Sequence, residues 1–384
     1  VRRQVAAVAW WQVAASLCYY GVFAATPLLS DHFGLTRFTV GVLVTTLTVG
    51  YTLALFPSGA LVDALGEKPV MVGGLLALGG GAIGVSLAPD RPLLFVAAVV
   101  LGLAYATAMP ATNRAVVANT TPDDRGFAMG VKQVGVTAGS GLAAVLVVSV
   151  GPALGAWNTG FWLVAGVAIA STALFVVAYT GERGHGRTEL PDVRRLLDIP
   201  GYPRLAVTGF LLGASIFTTV GYLTLYLTDT GTAAALAGLA FAGMQVTGGV
   251  GRVVAGAIAD RIPGDAAAAN ARVLAGQTLL GALALAALAT NPGTATTLVL
   301  VGIIGLTVLG YTGLYYSVMT ALVPEDAVGT ATAGGQTALN AGALVAPPAF
   351  GYLATHASYE ASWLVLAVIT ATGALVGGSI ARGR

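Results

Sequence analysis

The chain has 384 residues, of which 56% are hydrophobic and only 9% charged, with a mean hydropathy of +0.84. A water-soluble domain carries about a quarter charged residues, so this composition excludes an ordinary soluble enzyme and points to lipid as solvent. The net charge of +2 demands no acidic partner, no basic stripe with interleaved aromatics suggests nucleic acid, and the lone Cys18 excludes an intrachain disulfide.

Apolar runs near 20 residues long predict twelve membrane-spanning helices. In chain order they cover 5–29, 38–62, 70–88, 92–117, 126–149, 159–180, 204–228, 232–259, 271–290, 296–321, 328–352 and 361–381. The first is longer than a signal-peptide core and reads as a retained helix, with Trp10 and Trp11 as interfacial anchors. Segment 181–203 breaks the pattern with Arg183, Arg187, Arg194 and Arg195 among Glu182, Glu189, Asp192 and Asp198. The chain therefore divides into an N-terminal six-helix bundle (1–180), a solvated linker (181–203) and a C-terminal six-helix bundle (204–384). With the N-terminus inside, Lys and Arg concentrate in the inner loops, and the outer loops hold only Arg37 and Arg91. That bias predicts a multi-pass protein of the cytoplasmic membrane with both termini and the linker in the cytoplasm.

The two halves repeat each other. Gly59-Ala-Leu-Val-Asp63 matches Gly256-Ala-Ile-Ala-Asp260, and Pro122-Asp-Asp124 matches Pro324-Glu-Asp326. Gly126, Gln133 and Gly139 align with Gly329, Gln336 and Gly342. A duplicated six-helix unit of this kind predicts a binding site where the repeats meet.

These motifs resemble the major facilitator superfamily over the whole chain, which implies an all-α membrane protein of twelve helices in two pseudo-symmetric six-helix bundles. The strongest local match is Gly59-Ala-Leu-Val-Asp63-Ala-Leu-Gly66-Glu-Lys68, which departs from the family pattern in having Ala64 and Glu67 at usually basic positions. The resemblance implies that Asp63, Gly59, Gly66 and Lys68, with Asp260 and Arg261 in the second copy, form a cytoplasmic gate. In the eighth segment, Gly251-Arg252-x-x-x-Gly256-x-x-x-Asp260-Arg261 resembles monocarboxylate porters and the oxalate:formate antiporter group, where the arginine holds a substrate carboxylate. The run Pro110-Ala-Thr-Asn113-Arg114, followed by Arg125-Gly126-x-Ala-Met-Gly130-x-Lys132-Gln133, is similar to prokaryotic permeases presumed to take organic anions.

The acidic residues all fall in predicted loops or at helix ends, whereas three cations lie deeper. Arg252 stands eight residues before Asp260, Lys132 seven after Arg125 and Arg114 eight before Pro122. At 1.5 Å per residue, each lies roughly 10–12 Å inside its helix end. Arg252 aligns with Leu55 and Lys132 with Gly335, so the repeat does not require either charge. A surplus of positive charge without a buried acid favours an anionic ligand. The structural alternatives are snorkelling for Lys132, pairing of Arg252 with Asp260, and a clamp from Arg114 onto Asp63.

The superfamily's cavity helices would add Tyr19, Tyr222 and Tyr315, with Gln133, Gln336 and Asn340 as polar wall groups; Tyr20, Phe23, Phe217, Tyr311 and Tyr316 share their depth. The predicted function is a secondary active transporter moving a small organic anion, a monocarboxylate or similar, by alternating access. Drug or apolar-compound efflux is disfavoured by the resemblance, because two features expected of the superfamily's drug:proton antiporters are missing: the fourth segment has no arginine before Gly102, and the fifth has no internal Gly-Pro pair, Gly151-Pro152 lying at its outer end. A receptor or sensor without transport is the alternative of another class. No nucleotide loop, metal cluster or nucleophile–base pair suggests an enzyme, and no cofactor is implied. The expected partners are the small anionic substrate and the lipid bilayer, with protons open as a coupling ion and a monomer as the functional form.

Overall fold

A computed structural model describes residues 2–181, 193–324 and 327–383. The linker residues Glu182, Arg183, His185, Arg187, Glu189 and Asp192, and the acidic pair Glu325 and Asp326, lie outside the described residues. Twelve helical rods are described. They are α1 (Arg2–Ala24, continued by Thr26–Phe33), α2 (Arg37–Leu65), α3 (Glu67–Leu87), α4 (Arg91–Tyr105, then Ala108–Ala118), α5 (Pro122–Ala144, continued to Ala153) and α6 (Thr159–Ala178). The second half gives α7 (Tyr202–Asp229), α8 (Ala234–Ala259), α9 (Ala266–Leu288), α10 (Thr294–Ile304, then Thr312–Leu322), α11 (Val328–His356) and α12 (Tyr359–Ile380). Among the described residues there is no strand. Eleven of the rods are long and apolar enough to cross a membrane; α11, with Gln336, Asn340 and the pair Pro347-Pro348, is too polar to qualify by the same measure.

Only a helix can satisfy its own backbone in lipid, and proline is where that self-sufficiency fails. Pro110 has no N–H for the carbonyl of Ala106, and α4 breaks there; the Ser58 hydroxyl from α2 stands 2.9 Å from that carbonyl and 2.9 Å from Leu55 O, and shares its one hydrogen between them. Pro348 likewise abandons the carbonyl of Leu344, which accepts from the Thr45 hydroxyl at 3.0 Å. Pro27 follows the break at Ala25 in α1, where Thr26 donates to the Phe23 carbonyl at 3.3 Å.

Two further breaks are π-helical turns, Val145–Val150 in α5 and Gly305–Leu309 in α10. The wider turn in α10 leaves carbonyls for other donors: the Gln277 amide donates to Leu306 O at 2.7 Å.

The described residues form two compact units. Unit 1 comprises the described residues within 1–35, 46–189 and 227–242; unit 2 comprises those within 36–45, 190–226 and 243–384. The start of α2 thus packs within unit 2. Arg37 donates to Ala354 O at 2.9 Å and lies 4.4 Å over the Tyr359 ring. The Tyr222 hydroxyl bonds Arg37 O at 2.5 Å and Pro347 O at 3.1 Å. Gly41 and Gly351 make this approach possible, since a Cβ on Gly41 would strike Pro347 O and one on Gly351 the Tyr222 hydroxyl. In unit 1, Trp11 is fully buried and donates to Met71 O at 2.9 Å, so it is a core residue and not the expected interfacial anchor.

If Ser58 replaces the donor lost at Pro110, Ser58→Ala should lower stability by about 1 kcal/mol, the scale of a side-chain hydrogen bond in a membrane helix. Adding Pro110→Ala restores an N–H for Ala106 O and should shrink the loss. Thermal melting of the single and double variants in detergent measures both, and additive losses would contradict the pairing.

Candidate functional site

In unit 1, α2 ends at Leu65, Gly66 turns the chain at φ 88°, and α3 begins at once with Glu67. That positive φ suits glycine and sets Asp63 and Glu67 at one corner. Asp63 stands in the last turn of α2, where the helix dipole opposes a carboxylate. Arg114 from α4 answers it, with Nη1 3.1 Å from Asp63 Oδ1 and 3.3 Å from Val62 O. Its Nε lies 3.4 Å from Glu67 Oε2.

Glu67 is fully buried. Its other oxygen accepts from the Tyr179 hydroxyl at 3.0 Å, and Asn119 donates to Tyr179 at 3.1 Å. The expectation of deep cations without a buried acid therefore fails at Arg114, because the one-residue turn at Gly66 directs Glu67 inward. Lys68 points elsewhere and caps Val176 O at 3.0 Å. Gly59 has open space where a Cβ would stand, so packing does not demand glycine there.

Lys132 meets neutral partners. Only 2% of it is exposed, and its ammonium lies 2.5 Å from Asn113 Oδ1 and 4.0 Å from Met109 Sδ. It does not snorkel. Met109 and Asn113 are one turn apart on α4, on the face that also carries Tyr105. Tyr105 stacks on Tyr19 at 4.2 Å between ring centres and shares a 3.1 Å hydrogen bond with Ser16. Gln133, the neighbour of Lys132, is exposed.

In unit 2, Arg252 is part-buried on α8, and its Nε donates at 3.3 Å to Leu309 O, the last carbonyl of the π turn. Its side chain packs against Gly313 of α10, where an added Cβ would lie 3.6 Å from Arg252 Cβ. The Tyr316 hydroxyl donates to Gln336 Oε1, and Gln336 Nε2 donates to Asn340 Oδ1 at 2.9 Å.

Tyr315 is buried and bonds Gly335 O at 3.2 Å; Tyr222 is buried with its hydroxyl committed at the start of α2. Asp260 and Arg261 are exposed after α8, and among the described residues no ion pair there mirrors Asp63–Arg114. Sequence reasoning passed over Met109 and Tyr105 and drew no contact for Asn113 or Glu67. The spacing Tyr105, Met109, Asn113 at four-residue steps was the signal available for one α4 face.

Glu67→Gln removes one of two charges on Arg114 from a fully buried position and should cost about 1.5–3 kcal/mol, the range for hydrogen bonds to charged groups. Tyr179→Phe removes a neutral donor and should cost about 1 kcal/mol. Denaturation midpoints of both variants test the order, and equal losses would contradict it.

Residues 9–333 match the family model described as Major Facilitator Superfamily, with a second match over 205–381. Over 380 aligned residues the chain is 24% identical to the protein named Probable sulfoacetate transporter SauU of Cupriavidus necator, covering 92% of this chain and 87% of that one. It is 25% identical over 248 residues to the 3-(3-hydroxy-phenyl)propionate transporter of Escherichia coli, covering 61% of this chain and 59% of that one. Among solved structures, a bacterial homologue of the human lysosomal transporter Spinster, inward-facing and occupied, superposes with a TM-score of 0.85 at 14% identity. That likeness covers 99% of this chain and 96% of that one, and it shows the shared fold. Since the family model takes in all twelve rods and their repeated loops, the chain belongs to the Major Facilitator Superfamily and is a membrane transporter, not an enzyme.

Proposed function

We propose that this transporter moves a small organic anion across the cytoplasmic membrane by alternating access, with its termini in the cytoplasm. The observation that carries the reading is Lys132. A buried ammonium costs several kcal/mol unless it is compensated, and here a neutral amide oxygen and a thioether are its contacts among the described residues. An anionic ligand supplies the missing compensation. Met109 and Asn113 are part-exposed, so an arriving anion meets them first and reaches the ammonium by displacing the flexible thioether.

Arg252 is the corresponding cation of unit 2, and its planar fork suits a carboxylate. Its Nε donates to Leu309 O, which orients the guanidinium on α8. The names of the relatives support the same chemical class, since sulfoacetate and 3-(3-hydroxy-phenyl)propionate are organic acids. Asp63, in turn, belongs to a gate: paired with Arg114, it sets the balance between inward and outward states and does not touch substrate.

The test is uptake and equilibrium binding by the purified chain in proteoliposomes, across a panel of short carboxylates and neutral analogues. Lys132→Gln and Arg252→Ala should each weaken anion affinity about 30-fold or more, the scale of truncating one side of a desolvated charge pair. Arg252→Lys should lose less than Arg252→Ala. Asp63→Asn should depress uptake far more than binding. Unchanged affinity in Lys132→Gln and Arg252→Ala, or equal transport of neutral analogues, would refute the reading.

A further inference from the structure

Resting on the anion reading, we propose that unit 2 holds a second recognition point, Asn340 Nδ2, so that the substrate is an acid bearing an extra hydrogen-bond acceptor and not a plain alkyl carboxylate. The acceptor is a hydroxyl, oxo or second acid oxygen.

Three observations converge. Asn340 is fully buried, and its Nδ2 has no hydrogen-bond partner among the described residues. Its orientation is set by a directed chain, in which the Tyr316 hydroxyl donates to Gln336 Oε1 and Gln336 Nε2 donates to Asn340 Oδ1 at 2.9 Å. With Oδ1 occupied as acceptor, Asn340 is left offering N–H donors. The chain also begins near a cation, because Arg252 packs against Gly313, one turn before Tyr316 on α10, where an added Cβ would lie 3.6 Å from the arginine's own. One wall thus presents a charge for the acid group and, along α10 and α11, an unused donor.

A buried donor without an acceptor costs about as much as a lost hydrogen bond, so a chain that only packed α10 against α11 would be better ended by an apolar residue. A residue kept as asparagine at that cost fits a ligand that completes it. Sites that hydrogen-bond a substrate group discriminate strongly against analogues lacking it, because their own polar groups are then left unpaired. Recognition by Asn340 would therefore act mainly against plain carboxylates.

The experiment uses the full chain in proteoliposomes and compares matched acids, propionate against lactate and pyruvate, by equilibrium binding and uptake. The wild type should favour lactate or pyruvate over propionate by about tenfold or more. Asn340→Leu should erase that preference while leaving propionate affinity within about threefold, whereas Arg252→Ala should weaken all three acids. Asn340→Asp keeps the acceptor for Gln336 and replaces the outward donor with an oxygen, so it tests the same point should the leucine variant fail to fold. It should erase the preference for pyruvate over propionate, because an oxo group can only accept and the new carboxylate offers it no donor.

Equal wild-type affinity for propionate and lactate, or a preference that survives in both Asn340 variants, overturns the inference while the anion reading stands. Failure of every acid to bind overturns both.

Discussion

A carbonyl oxygen released inside a membrane has no water to turn to, and that constraint organises this molecule more than any single contact. Prolines release carbonyls at Ala106 and Leu344, and the π turn in α10 leaves Leu306 and Leu309 to outside donors. In each case the donor is a side chain from a neighbouring rod: Ser58, Thr45, Gln277 and Arg252. These bonds fix how neighbouring rods meet, because a donor must come within about 3 Å of a particular carbonyl. Arg252 belongs to the series. Its placement follows from a helix defect as much as from its own charge.

The two halves repeat in sequence and diverge in chemistry. The corner of Asp63 and Glu67 gathers a buried carboxylate, an arginine, a tyrosine and an asparagine. The matching corner at Asp260 is exposed. Duplication preserves the rods and turns, since these depend on apolar patterning, while single substitutions such as Glu67 decide which copy carries a charge network. Lys132 and Arg252 likewise stand opposite Gly335 and Leu55 in the repeat.

Apolar run length made the rods legible in the sequence, and the apolar surroundings of Lys132 in α5 pointed to its burial. What the sequence could not show was how the chain interrupts itself. Pro110 marked a weak point in α4, but nothing in one dimension says that Ser58, 52 residues earlier, donates across to Ala106. Glu67 looked like a surface departure from a family pattern, because its burial depends on a backbone angle at Gly66. Tyr222 is buried on α7, yet its hydroxyl is spent on the carbonyls of Arg37 and Pro347. Aromatic residues at the right depth are ambiguous in this way: a phenol can line a wall or tie two rods, and only the position of the oxygen distinguishes them.

The π turn Gly305–Leu309 carries one more residue than an α-helical path of the same rise would need. Every side chain beyond it on α10 is thereby rotated by about 100° relative to an uninterrupted helix. Tyr316 lies beyond the turn, and its meeting with Gln336 depends on that phase. Straightening the turn into an α-helix with all its residues retained would leave the composition of α10 unchanged, yet it would swing the phenol away from α11. The chain of donors from Tyr316 to Asn340 is therefore a property of helical register: deleting the extra residue of the turn preserves it, whereas an insertion or deletion elsewhere between the turn and Tyr316 abolishes it.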